Sequence, residues 1–212
     1  YSIIACKLSK NIDRIIVSTE DEEIANIAKQ YGAEIPFMRP EKYSKDDSTD
    51  EGFLNHFFEN INVDEVALIR PTTPLRNPKF MDKGIDLFFE KKDEISSLRS
   101  VNKIEESPYK LFQVKDGLCH GFFEHYNGVE KYFNLPRQTF PETYKANGHI
   151  DIIKKETLRY GDAFGTKICA YIGNPIADID SVEDFKYTEY QIKTKEIDLI
   201  NKKGDIKWVK HS

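Results

Sequence analysis

This chain predicts an α/β protein: a mainly parallel central sheet with helices on both faces. Three observations support that class. Short β-branched runs alternate with helix-length amphipathic stretches between residues 15 and 101, the pattern of βαβ units. The clearest run, Glu65-Val66-Ala67-Leu68-Ile69-Arg70, is apolar on successive residues, as in a strand covered on both faces. The runs end in polar or turn-forming segments such as Ser18-Thr19, Arg70-Pro71-Thr72 and Ser100-Val101. Ligands of open α/β sheets bind beyond such carboxyl ends.

The elements follow in order. Tyr1 to Leu8 reads as a helix already under way, and an upstream strand and loop are expected before it. Arg14 to Ser18 is a strand. Asp21 to Tyr31 is a helix with acidic residues in its first turn and Gly32 at its end. Glu34 to Met38 is a short strand running into Arg39-Pro40. Phe53, Leu54, Phe57 and Phe58 recur at helical spacing, which predicts a helix over Ser48 to Asn60. Lys79 to Lys91 is a helix, Glu94 to Val101 a strand, and His149 to Ile153 and Ile168 to Ile172 are further strands. Val182 to Tyr190 is a helix with Ser181 or Asp180 as its N-cap. Between about 102 and 131 the alternation breaks into aromatics and turn residues, which predicts β-hairpins inserted into a single domain of residues 1–212. Tyr109, Phe112, Phe122, Phe123 and Tyr126 there are candidate anchors of a homodimer interface, and a local lid is the competing reading. The tail, about 191–212, is Lys-rich, with Ile192, Ile197, Leu199 and Ile200 placed to dock as a last helix before a loose terminus from Gly204.

Composition narrows the function. With 39% hydrophobic residues and 12% aromatics the chain can build a core, and no apolar run reaches membrane-spanning length. A net charge of -5 argues against a nucleic-acid-binding surface. Three widely spaced cysteines, Cys6, Cys119 and Cys169, form no metal or redox motif, and a reducing, cytoplasmic setting is expected.

The chemistry is concentrated at Asp178-Ile179-Asp180. Two carboxylates two residues apart in extended chain share one face and make a hard oxygen site. Mg²⁺ suits such a site, because it takes one or two carboxylates together with nucleotide phosphates. A solvated acidic turn before the following helix is the alternative.

Five ordered segments resemble the acylneuraminate cytidylyltransferase family, the CMP-sialic acid synthetases. They are Ile16-Val17-Ser18-Thr19-Glu20-Asp21, then Leu68 to Arg76 (Leu-Ile-Arg-Pro-Thr-Thr-Pro-Leu-Arg), then Arg137-Gln138 with Pro141, then Asn147-Gly148, and last Asp178-Ile179-Asp180 leading into Glu183-Asp184-Phe185. Arg39-Pro40 followed by Asp46 is similar to a further stretch of that family. The resemblance covers about nine tenths of the chain. It implies a nucleotide-diphospho-sugar transferase-like, Rossmann-like fold and a dimer built through an inserted excursion. It also implies transfer of CMP from CTP to a nine-carbon 2-keto sugar acid, with release of pyrophosphate.

Carried onto this sequence, the resemblance makes Asp178 and Asp180 the Mg²⁺ ligands and, with Arg137, the catalytic set. Ser18, Thr19, Arg39 and Asp46 are expected at the nucleotide; Arg70, Thr72, Gln138, Lys145, Asn147 and Asp151 at the sugar. The family's phosphate loop, an Arg-x-Gly-Ser-Lys-type segment, has no counterpart after Tyr1, and a chain starting there is expected to bind CTP weakly and turn over little. Two positions depart from the family. Arg70 stands where many members carry Gln, and Asp151 where users of N-acetylneuraminate carry an aromatic. An amide both donates and accepts, whereas Arg only donates. A carboxylate facing an acyl methyl is poorly matched. The expected substrate is therefore an acidic nine-carbon sugar other than plain N-acetylneuraminate. Two further readings stay open: a nucleotidyltransferase acting on Kdo or a phosphosugar, and an inactive interaction module.

Overall fold

The computed structural model describes residues 1–45, 47–194, 198–200 and 206–209, and its elements are few for its length. Helices are α1 (Ser2–Leu8), α2 (Glu22–Gln30), α3 (Asp50–Asn60), α4 (Pro78–Lys91) and α5 (Val182–Thr194). Strands are β1 (Glu65–Leu68), β2 (Ser97–Ile104), β3 (Phe112–Lys115), β4 (Leu118–Gly121), β5 (Thr143–Lys154), β6 (Ile168–Ile172), β7 (Asp198–Ile200) and β8 (Ile206–Val209).

The central sheet has the order β1-β5-β2-β6. Its directions are mixed: β5 runs antiparallel to both β1 and β2, and β6 lies parallel to β2. The α/β class stands: β1, β2 and β6 run in one direction, and β5 is the one strand of the four that opposes them. The reason is the route of the chain, which leaves β2, passes through the excursion and returns as β5 with no crossover helix. A direct return places a strand antiparallel beside its predecessor. Residues 14–18 and 34–38, expected as strands, meet in one parallel bridge, Ile16 to Glu34.

Each helix is set by local chemistry. The Asp21 carboxylate accepts from the Ile24 N–H at 2.9 Å and starts α2. The Asn77 side chain accepts from the Lys79 and Phe80 N–H groups, with Pro78 in the first turn of α4. Ser181 caps α5, accepting from the Asp184 N–H at 3.2 Å. α4 lays Met81, Ile85 and Phe88 on one face of the sheet, against Leu98, Ile150 and Ile152. α3 lays Leu54, Phe57 and Phe58 on the other, against Ile153, with Val66 and Leu68 packed beside them. Gly84 permits the close approach of α4 to β6, since a Cβ there would lie 2.9 Å from the Tyr171 ring.

The excursion holds the β3–β4 hairpin and an aromatic cluster in which Tyr109 stacks on Phe140 at 5.1 Å. In the tail the expected last helix does not appear among the described residues. Ile192 belongs to α5, Leu199 and Ile200 belong to a β7–β8 hairpin, and Ile197 lies outside the described residues. Of the expected loose terminus, 206–209 form β8 and the rest lies outside the described residues. No helix is long and apolar enough to cross a membrane among the described residues.

Candidate active site

The carboxyl ends of Ile15–Ser18 and β1 both reach the N-terminal end of α3. Arg39 joins the first of them to it. Its Nε donates to Ser18 Oγ at 3.1 Å, another guanidinium nitrogen donates to Ser18 O, and its own N–H donates to Thr19 O at 2.8 Å. The same guanidinium lies 5.2 Å from the Phe53 ring centre in α3, a favourable cation–π placement. Thr19 is buried and its hydroxyl accepts from the Asp21 N–H at 3.2 Å. Ser18, Thr19 and Arg39 are thus one group. Asp46 lies outside the described residues.

Arg70 joins β1 to α3. Its two terminal nitrogens donate to the two oxygens of Asp50, and this hydrogen bonding holds the guanidinium pKa above its ordinary value. Beyond it the chain turns through Pro71 to Arg76. Thr72 O accepts from the Ile179 N–H at 2.8 Å, and Thr73 Oγ1 donates to Asp178 Oδ1 at 3.3 Å. These two bonds fasten the Asp178-Ile179-Asp180 segment to the end of β1. Both carboxylates are exposed while Ile179 is half-buried between them, as alternation along an extended chain requires.

Sequence reasoning placed Arg76 in a motif but assigned it no role. The structure makes it the brace of the site. Fully buried, it donates to His149 O at 2.9 Å, Gly148 O at 2.9 Å and Ser2 Oγ at 2.8 Å, and also to Thr73 O and Arg70 O. Burial pulls its pKa down to about 10. It therefore ties β5 to the loop that carries Thr72 and Thr73. Gly148, at φ +66, lies against that loop, and a Cβ on it would sit 2.7 Å from Thr73 Oγ1. Asn147 Oδ1 accepts from the His149 N–H at 3.1 Å, so this side chain serves the turn. His149 accepts from the Asn77 N–H at 3.0 Å, and burial lowers its pKa to about 4.

Asp151 is not at an open surface. Its side chain, 3% exposed, sits in β5 opposite Leu68 and Arg99, with Oδ1 3.8 Å from Arg99 Nε. Burial raises its pKa, opposed by Arg99 and Arg70. Arg137 lies in a turn at the end of the excursion, exposed and 3.6 Å from Glu105. No hydrogen bond or ion pair joins Arg137 to Arg70, Asp178 or Asp180 among the described residues. Gln138 and Lys145 are exposed, Lys145 opposite Asn102 in the β5–β2 ladder. The structure thus assembles two groups, Ser18/Thr19/Arg39 and Arg70/Thr72/Asp178, and of these Ser18, Thr19, Arg39 and Arg70, together with Ile179, line a cleft of about 1290 Å³. Asp50, Thr73 and Arg76 complete their framework. The signal for Arg76 and Thr73 lay in the Pro-Thr-Thr-Pro-Leu-Arg run; Asp50 had none.

Comparison with known proteins agrees. A family model described as cytidylyltransferase matches residues 1–194. The chain is 29% identical over 208 residues to post-translational flagellin modification protein B of Campylobacter coli, covering 93% of this chain and 84% of that one. It is 27% identical to the CMP-N,N'-diacetyllegionaminic acid synthase of Legionella pneumophila, covering 89% of this chain and 82% of the relative. A solved CMP:2-keto-3-deoxy-manno-octonic acid synthetase complexed with CTP superimposes with a TM-score of 0.64 at 10% identity, over 89% of this chain and 84% of that one. At that identity the likeness is one of fold. With a match that spans every element from α1 to α5, the chain belongs to the cytidylyltransferases, enzymes of nucleotidyl transfer, and within them to the acylneuraminate branch that its motifs resemble.

Proposed function

We propose that this protein transfers CMP from CTP to a nonulosonic sugar acid, releasing pyrophosphate. The observation that carries the reading is that Ser18, Thr19, Arg39 and Arg70 line one cleft with Ile179, the residue between the two carboxylates, which is tied to Thr72. A sugar hydroxyl attacking the α-phosphorus needs alignment and charge neutralisation more than covalent help. Arg39 and the Ser18 and Thr19 backbone hold the nucleotide side. Arg70, kept in place by Asp50, faces an anionic group of nucleotide or sugar. Asp178 is oriented by the Thr73 hydroxyl and Asp180 lies beside it on exposed chain.

Asp178 and Asp180 would hold Mg²⁺. The donor set fits: two exposed carboxylates on one face of extended chain leave room for phosphate oxygens and water. Bound there, the ion supplies charge neutralisation at the phosphates and lowers the pKa of a hydroxyl brought to it. Arg137, Gln138 and Lys145, all exposed, are assigned to the sugar side. Asn147 acts through the turn it fixes, and Asp151 through its field on Arg70.

The proposed sugar is one other than plain N-acetylneuraminate, because Arg70 presents donors only. Asp151 is too deeply packed to touch an acyl group, so Arg70→Gln alone is the informative change. A second reading, transfer to Kdo or a sugar phosphate, is favoured by that same positive charge. The test is pyrophosphate release from CTP, UTP, ATP and GTP with Mg²⁺, against legionaminate-, pseudaminate- and neuraminate-type acids, Kdo and sugar phosphates. CTP-specific release with a nonulosonate supports the proposal. Release only with Kdo or a sugar phosphate replaces it, and none with any pair leaves an interaction module.

We also propose a homodimer through the excursion, whose hairpin exposes Val114, Leu118 and Phe122. Tyr109 and Tyr126 are half-buried in its own aromatic cluster. Free thiols at Cys6, Cys119 and Cys169 and the use of CTP fit the cytoplasm.

A further inference from the structure

Leu68 of β1, Asp151 of β5, Arg99 of β2 and Ala170 of β6 form one row across the sheet, each opposite the next. Residues directly opposite one another share a face. Leu68 packs with the α3 cluster, so the row lies on the α3 face. It opens outward along its length. Leu68 is half-buried and Asp151 is 3% exposed, whereas Ala170, on the edge strand β6, is exposed. Ile168 and Ile172, on the same face of β6, are exposed too.

Arg99 is the unusual member of the row. A guanidinium is rich in N–H donors, yet the Arg99 side chain makes no hydrogen bond among the described residues. Its ion-pair partner, Asp151 Oδ1, lies 3.8 Å from Nε, too far for a hydrogen bond. Nε and Oδ1 are both closed off from solvent and both without a hydrogen-bond partner. The terminal nitrogens are not closed off, and the side chain is 33% exposed. The guanidinium carbon lies 4.2 Å from the centre of the Phe164 ring, a favourable cation–π placement. Ser97 Oγ donates to Phe164 O at 2.7 Å and holds that ring's backbone to β2. Just past Arg99 the β2–β5 register shifts, and Ser100 Oγ accepts from the Ile150 N–H at 2.9 Å. Such irregularities re-aim the side chains beside them. Asp151 also feels Arg70 and Asp50, the pair at the end of β1, so Arg99 stands within the field of the site.

We propose that Arg99 is a specificity-determining residue of this site, its terminal nitrogens taking a carbonyl or carboxylate oxygen of the acid sugar. The inference rests on the nonulosonate reading above. A cation fixed by a ring face on one side and a buried carboxylate on another, with its fork left open, is a donor set in place for an acceptor. Asp151 is then a positioning residue: too deep to touch the sugar, it acts through Arg99. The chemistry of the ligand follows. Arg70 and Arg99 only donate, and the cation covers a face of Phe164 that an apolar group would otherwise use. The position accepts an acyl carbonyl or a carboxylate and repels a free ammonium.

The test is binding, with CTP present and Mg²⁺ withheld. An N-acylated nonulosonate and the same acid with its amine free are titrated calorimetrically into wild type, Arg99→Met and Asp151→Asn. Arg99→Met is expected to weaken the acylated acid about tenfold and the amine-bearing acid not at all. Asp151→Asn, which leaves the donors but loosens them, should weaken the acylated acid about threefold. A merely structural role for Arg99 would affect both acids alike. In NMR spectra the Arg99 guanidinium signals, identified by their loss in Arg99→Lys, should move when the acylated acid is added. Equal weakening of both acids overturns the proposal, as do unmoved Arg99 signals while the acid binds; either leaves the proposed function standing. Moved signals and selective loss, without CMP transfer to any sugar acid once Mg²⁺ is restored, uphold the role of Arg99 and overturn the proposed reaction. Wild type that binds neither acid overturns both.

Discussion

Arg70, at the carboxyl end of β1, holds the Asp50 carboxylate of α3 in a two-pronged grip, one terminal nitrogen to each oxygen. The pair joins sheet to helix where the two halves of the site meet, and it fixes a planar donor that would otherwise sweep a wide arc. Asp50→Asn should leave Arg70 in place but loosely held. Because both side chains are about a third exposed, the stability cost should stay near 1 kcal/mol. The expected functional effect is a rise of about fivefold in KM for the anionic substrate, with a smaller change in kcat. Steady-state kinetics beside a thermal melt separates the two; a fall in kcat with KM unchanged would contradict the positioning role.

Asp178→Asn and Asp180→Asn should each reduce kcat by two orders of magnitude or more, with Tm unchanged. Asn at position 178 can still accept from Thr73, so any loss reports charge rather than placement. The check is turnover at limiting and at saturating Mg²⁺. Near-native rates in both variants would remove the metal assignment.

Arg76→Met removes the cation that serves the carbonyls of Gly148, His149 and Thr73. Those acceptors are left unpaired in the interior, and a loss of about 3–5 kcal/mol is expected. Urea denaturation measures it, and a cost below 1 kcal/mol would show that water takes over the carbonyls.

His149 sets a pH dependence. Its pKa falls from 6.5 to about 4 on folding because the neutral ring is buried. The unfolded chain therefore binds a proton that the native state refuses between those values. Stability is full above pH 6.5, declines as pH drops towards 4, and levels off below; the total is about 3 kcal/mol. Asp151, whose carboxyl is held high by burial, contributes in the opposite sense and softens the decline at its acid end. Denaturation midpoints of wild type and His149→Gln from pH 7.5 to 4 test this. Parallel curves would contradict it.

Val114→Asp with Leu118→Asp should convert the proposed dimer to monomer, since both side chains stand more than half exposed on the hairpin. Light scattering reads the outcome, and a wild-type monomer at high concentration would dismiss the interface.

Local rules were legible in the chain. Capping residues and helical spacing placed α2, α3, α4 and α5 within a few residues, and the apolar run Ile168–Ile172 is β6 as read. The reversal of β5 was not legible. Nothing in Thr143 to Lys154 reveals which neighbours it will join or which way it will run, because pairing is decided by the path of the chain between strands. At the site the difference is between charge that is displayed and charge that is hidden. Asp178 and Asp180 advertise themselves by spacing, whereas the bonds of Ile179 to Thr72 and of Asp178 to Thr73 are tertiary and left no mark in the sequence. Asp151 looked like a specificity residue because its burial, in register with Leu68 and Arg99, is a tertiary property. Asp50 gave no signal, since an acidic residue opening a helix is ordinary until its partner is known.

β5 has one more consequence. Its 12 residues run from Thr143 to Lys154, with a slip in register against β2 between Ala146 and Asp151. It starts at Thr143, beside the excursion, passes the carbonyls braced by Arg76 at Gly148 and His149, and ends beneath α3. Such a member behaves as a beam with a load at each end. The register shift opposite Arg99 and Val101 gives it a joint between the two. Anything that tilts the outer end, whether a subunit docking on the hairpin or a side chain forced in near Lys145, would lever the turn that carries Asn147 and Gly148 against Thr73. Quaternary contact and catalytic alignment would then be mechanically one variable.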